Sequence, residues 1–148
     1  MRVFFDTNII IELLENRAQA DFVDNVLCLC EQNKWSKCLS VGSFYTITYL
    51  TERMLHRQQI CQPLLAERQR EILNDILAAF YIAPTNSETL QAGVDDKAFC
   101  DLEDSYQYQT AIVAGCDVLL TINKKDFPYN TSLKVMSPEE FLDSYVSV

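Results

Sequence analysis

Three aspartates stand where a chain could gather oxygen ligands for a hard cation: Asp6 directly after a short apolar run, Asp104 in the first turn of a predicted helix, and Asp126 just past another apolar run. Ions of the Mg²⁺ type are held by one or two carboxylates, with waters and substrate phosphate oxygens completing the shell. Each acid also has a structural reading. Asp6-Thr7-Asn8 is a common helix entry, Asp104 suits the positive end of a helix macrodipole with Asp101 as N-cap three residues before it, and Asp126 is a turn residue ahead of Pro128. Convergence favours the metal reading, because neighbouring carboxylates repel unless a cation or proton lies among them.

The elements must supply that convergence. Arg2 to Phe5 is a β-branched and aromatic run that Asp6-Thr7-Asn8 ends, so Asp6 falls at a strand's carboxyl end. Apolar spacing predicts helices over Ile9–Glu15 and Ala20–Glu31, a second strand over Cys38–Val41, and a long helix from Ser43 to Gln59. Pro63 suits the first turn of another long helix. Phe80–Ala83 reads as a strand, and Asn86 or Ser87 caps a short helix running to Gly93. A polar connection leads to a helix from Asp101 to Ala114 that stops at Gly115. Val118–Thr121 is a fourth strand, the turn Asn123–Pro128 follows, Lys134–Met136 is the last strand, and Ser137-Pro138-Glu139-Glu140 opens a capped helix. This alternation implies an α/β chain of three layers, α/β/α, with a central parallel sheet. Ligands of such sheets bind outside the carboxyl ends of the strands, where the strand order reverses, which brings the Asp6 loop and the Thr121–Phe127 loop to one edge.

Composition narrows the classes. With 148 residues, 49% apolar, 22% charged and three Gly, the chain reads as one globular domain over 1–148, without repeat or linker. No apolar run is long enough to cross a bilayer and the N-terminus lacks a signal-peptide pattern, so the expectation is a cytoplasmic protein with no membrane partner. Six cysteines without a C-x-x-C pair and a lone His56 speak against zinc, and most of the thiols are expected to be reduced and buried. A net charge of −9 opposes loose adhesion to nucleic acid, so any nucleic acid must be held by a local groove, or a basic protein partner must cover the acidic one.

The residues then carry a family resemblance. Val3-Phe4-Phe5-Asp6-Thr7-Asn8, Glu103-Asp104 leading to Ala111, Cys116 through Phe127 and Val135 through Leu142 together resemble a PIN-domain protein of the VapC-like toxin type. The resemblance implies a Mg²⁺- or Mn²⁺-dependent endoribonuclease, with RNA as substrate, a cognate antitoxin as partner and a homodimer as its assembly. By matching position Asp6, Asp104 and Asp126 would be metal ligands and catalytic residues, directly or through water, with Thr121 and Asn123 shaping the pocket. The chemistry would be phosphodiester hydrolysis by a metal-activated water. Lys124 or Lys125 could touch phosphate or be merely solvated, and Trp35, Tyr45 and Tyr49 belong to core or interface more readily than to base stacking.

The chain departs from the family at one place. The family usually has a Glu early in the helix after the second strand, and Ser43-Phe44-Tyr45-Thr46-Ile47-Thr48 contains no acid. Glu52 lies roughly 8 to 9 Å further along the axis, Glu12 is similarly removed from Asp6, and Glu103 points about 100° around the helix from Asp104. Asp101 could reach inward instead. Two expectations follow: one metal rather than two, or weakened catalysis. A non-catalytic binding module of the same fold is the alternative function, and a phosphate-accepting signalling receiver is disfavoured by the single acid after the first strand.

Overall fold

The computed structural model describes residues 1–128 and 132–146. Strand β1 (Arg2–Phe5) leads into α1 (Thr7–Leu14) and α2 (Ala20–Gln32), and β2 (Ser36–Ser40) runs directly into α3 (Val41–Arg57). After α4 (Leu64–Ala79) come β3 (Tyr81–Ala83), α5 (Ser87–Asp95) and α6 (Leu102–Val113). Strand β4 (Val118–Leu120), a 3-10 turn at Lys124–Asp126, β5 (Lys134–Met136) and α7 (Pro138–Tyr145) complete the described elements.

The five strands form one parallel sheet in the order β3-β2-β1-β4-β5. Period-two alternation sends successive side chains of β1 to opposite faces. Val3 and Phe5 join a core with Ile9, Val23, Val26, Ile47 and Phe141, whereas Phe4 joins Phe99, Tyr108, Ala111 and Leu119 on the other face. All of these residues are buried, Val3, Phe4 and Phe5 completely. Helices therefore cover both faces, and the architecture is the three-layer α/β/α sandwich with a central parallel sheet that the alternation predicted.

Most boundaries fall within one or two residues of expectation, and the exceptions have local causes. The second strand covers Ser36–Ser40 rather than Cys38–Val41, because the Ser40 hydroxyl accepts the Ser43 N–H at 2.9 Å and so starts α3 at Val41. Asn86 caps α5 through the Thr89 N–H, and Ser137 with Glu140 forms the complete capping box of α7. Gly115, at φ 68°, follows α6 in the left-handed conformation that glycine adopts freely.

Helix α6, which carries Asp104, is set by close packing on α5. A Cβ on Gly93 would stand 2.6 Å from Tyr106 Cδ1, and Ser105 Oγ donates to the Gly93 carbonyl at 2.8 Å. The cysteines are free, but only Cys30 and Cys38 are buried; Cys28, Cys61 and Cys100 are exposed, against the expectation of mostly buried thiols. Two of these three lie on connections and Cys28 on the exposed side of α2. Among the described residues, no helix is long and apolar enough to cross a membrane.

Candidate active site

The sheet order reverses between β1 and β4, and both strands end at the same level, with Phe5 opposite Leu120. Asp6 follows β1 and Thr121 follows β4, joined by the Asp6 N–H donating to the Leu120 carbonyl at 3.0 Å. Asp6 is the N-cap of α1 and is only 4% exposed. Its Oδ1 accepts the Thr7 N–H at 2.7 Å and Gln107 Nε2 at 3.3 Å; its Oδ2 accepts Thr121 Oγ1 at 2.8 Å and Asn8 Nδ2 at 3.0 Å. An ionised carboxylate has about four lone-pair sites, so these four bonds engage all of them and fix it, and a cation would take the place of one of the side-chain donors.

Behind Asp6 lies a buried polar network that ties α1, β2, α3 and α6 together. Gln107 donates to Thr7 Oγ1 at 3.0 Å and to Ser43 Oγ, and its Oε1 accepts Ser40 Oγ at 2.6 Å. Thr7 and Ser43 hydroxyls stand 2.7 Å apart. Every buried polar side-chain atom among the described residues has a partner, so the network holds Asp6 in one position.

Asp101, Glu103 and Asp104 come from the start of α6. Asp101 is its N-cap, accepting the Glu103 N–H at 2.9 Å and the Asp104 N–H at 3.3 Å. These three acids and Asp6 line one cleft of about 310 Å³. Asp104 is half-buried, and its carboxyl is pushed up to about 7, first by burial and then by the charges of Asp6, Asp101, Asp126 and Glu103. Burial raises Asp6 as well, against the lowering effect of its bonds from Thr121, Thr7 and Gln107.

Asp126 is placed differently. It lies exposed in the 3-10 turn and does not line the cleft, although its charge is felt at Asp104. Asn123 is also exposed, and its backbone N–H rather than its side chain donates to Thr121 Oγ1, at 3.1 Å. Among the described residues no three acids, cysteines or histidines form a ready-made metal cage. The donor set nevertheless fits a hard divalent ion: it is all oxygen, mutually repelling, and suited to an ion that takes one or two carboxylates and keeps waters.

The position lacking the family's helix Glu is not filled by another acid of α3. Thr46 lines a neighbouring pocket of about 340 Å³ with Tyr106 and Leu90, Ile47 is in the core, and Glu52 is paired with His56 on the surface. Glu12 is buried and accepts the Gln19 N–H at 3.0 Å, so it serves the α1–α2 connection. Glu103, discounted because its direction differs from that of Asp104, does line the cleft, since side chains of a helix's first turn fan out around its end. Sequence reasoning also passed over Gln107, one turn after Asp104, where no local signal sets it apart from Gln109. Lys124 is held by Glu140 at 2.8 Å. Trp35 packs edge-on against Phe141 and Tyr145, while Tyr45 and Tyr49 are exposed.

The model of the PIN domain family matches residues 2–125. The chain belongs to the PIN-domain family. The match takes in Asp6, Asp101, Asp104, Thr121 and Asn123 and ends one residue before Asp126. Over 149 aligned residues the chain is 24% identical to Ribonuclease VapC1 of Aquifex aeolicus (strain VF5), covering 97% of this chain and 95% of that protein. Its PIN fold is shared with VapBC2 from Rickettsia felis bound to a promoter DNA fragment (TM-score 0.69, 17% identity, 93% of this chain and 98% of that one). It is shared also with FitAB bound to an IR36 DNA fragment (0.65, 19%, 92% and 94%) and with VapBC-1 from nontypeable Haemophilus influenzae (0.64, 16%, 94% and 99%).

Proposed function

We propose that this PIN protein is a metal-dependent endoribonuclease, a single domain over 1–148, acting in the cytoplasm as the toxin of a toxin–antitoxin pair. The observation that carries the reading is Asp104. A carboxyl pushed up to about 7 beside Asp6, Asp101 and Glu103 in an open cleft is the electrostatic situation a divalent cation relieves. The name and near-full-length match of the Aquifex ribonuclease support the activity, and the VapBC and FitAB neighbours support an antitoxin partner. RNA as substrate and a symmetric homodimer complete the proposal.

Asp6 and Asp104 would hold Mg²⁺ or Mn²⁺, with Asp126 contributing through water. When bound, such an ion acts as a Lewis acid toward the scissile phosphate and makes water acidic enough to attack at neutral pH. Thr121, Asn8 and Gln107 orient the Asp6 carboxylate, and Asp101 fixes the start of the helix that aims Asp104. Asn123 steadies Thr121 through its backbone.

With Mn²⁺ or Mg²⁺, the purified protein is expected to cut single-stranded RNA, and Asp104→Asn or EDTA to stop it. Cutting that survives both would end this reading. A non-catalytic module remains the second one, favoured by the absence of an acid on α3 facing the cleft. It predicts Mn²⁺ or RNA binding without turnover.

A further inference from the structure

The cleft that carries the acids also carries cations. Arg17, on the α1–α2 connection, and Arg57, the last residue of α3, line it together with Glu15, the C-cap of α1. Glu15 Oε2 accepts Arg17 Nε at 2.8 Å and also Arg17 Nη2, while Oε1 accepts Arg57 Nη2 at 2.6 Å. Burial alone would raise the Glu15 carboxyl, but the bonds and charges of the two guanidiniums hold it below its ordinary value. Two guanidiniums on one carboxylate leave a net positive charge at this point of a chain whose total is −9. Each guanidinium has five N–H donors, of which Glu15 takes two from Arg17 and one from Arg57. The side chains of Arg17 and Arg57 remain 49% and 60% exposed.

The spacing follows from α1. Asp6 caps its first turn and Glu15 its last, so at about 1.5 Å per residue the acids and the arginines are separated by roughly 13 Å along one helix. We propose that Arg17 and Arg57, aligned by Glu15, form a phosphate subsite that grips the backbone of single-stranded RNA beside the acidic end of the cleft. This rests on the ribonuclease reading and deepens it, by naming how an acidic chain retains a polyanion. Planar guanidiniums match phosphate oxygens in paired N–H contacts, and a carboxylate that pre-orients both of them removes part of their ordering cost. The rival account is structural: Arg57 favours the negative end of the α3 dipole, and the trio merely ties α1 to α3.

The test is equilibrium binding of a fluorescent oligouridine, in EDTA so that no cleavage occurs, across a salt series. Arg57→Gln and Arg17→Gln are each expected to weaken binding on the order of tenfold. The double variant should flatten the slope of log affinity against log salt by about 0.7 per phosphate lost. Glu15→Gln separates the two accounts: with both arginines present it should keep the salt slope and weaken affinity less than either arginine variant, whereas a purely structural tie predicts that it weakens binding as Arg57→Gln does. An unchanged affinity and slope in the double variant, or its loss of affinity only for a co-purified protein partner, would overturn the subsite. A wild type that binds through the arginines yet never cuts RNA would instead remove the ribonuclease reading and leave the subsite standing.

Discussion

At the corner after β1, Asp6 is 4% exposed and takes hydrogen bonds from Thr7, Asn8, Gln107 and Thr121; past β4, Thr121 is buried, but Asn123 through Asp126 lie exposed before Phe127 is buried again. The two corners belong to adjacent strands and the same proposed site, yet only the first is fixed from every side. A site built this way holds one acid in place before any ligand arrives and leaves another free to adjust. The acids do not form a closed cage among the described residues, and under the proposed function Asp6 would be the strong ligand position and Asp126 the distant one.

The sharpest way to break this contrast is to neutralise each acid in turn. Asp6→Asn keeps a capping side chain but loses the charge, and is expected to lower RNA cleavage by about 10³-fold, since the Lewis-acid contribution is worth several kcal/mol. Asp126→Asn should cost far less, and single-turnover kinetics at fixed Mn²⁺ compare the two; equal losses would mean that exposure is a poor guide to ligand role. Next in size is Gln107→Ala. By unfastening Asp6 it should weaken Mn²⁺ affinity by about 10- to 100-fold in a calorimetric titration. It should also cost about 1–3 kcal/mol of stability, because Ser40 and Ser43 lose their buried partner.

The pH dependence tests Asp104, which stands between the two corners. Its carboxyl is raised in the folded protein, so metal-free stability is fullest below the ordinary value of 3.8 and declines as pH rises from there through about 7. A cation must displace that proton, and Mn²⁺ affinity should fall by about tenfold per pH unit below 7. In Asp104→Asn the metal-free melting temperature should rise at pH 8 and change little at pH 4. The smallest effect is expected for Asn123→Ala: its backbone N–H, not its side chain, meets Thr121, and activity should stay within about threefold, as for surface positions away from buried contacts.

The sheet and most helices were legible because their signals are local: β1 is an apolar run ended by an Asx cap, and α7 opens on a capping box. Asp6 and Asp104 were legible as strand-end and helix-start acids, and the fold brings them to one cleft. Gln107 was not, because nothing local distinguishes a helix Gln that faces a buried carboxylate from one that faces water. Arg17 and Arg57 were equally hidden. They are 40 residues apart in sequence and become one feature only through Glu15. Glu103 lines the cleft and also the neighbouring pocket, a placement that its angle from Asp104 did not make legible.

The bond between Thr121 and Asp6 spans 115 residues. Asp6 is synthesised before its tether, which follows 115 residues later. Until β4 has emerged, the central strand β1 lacks one of its two neighbours and the first acid lacks its anchor, so the cleft cannot assemble on a growing chain. For a protein proposed to destroy RNA, this order of synthesis would delay the completed cleft until β4 has emerged.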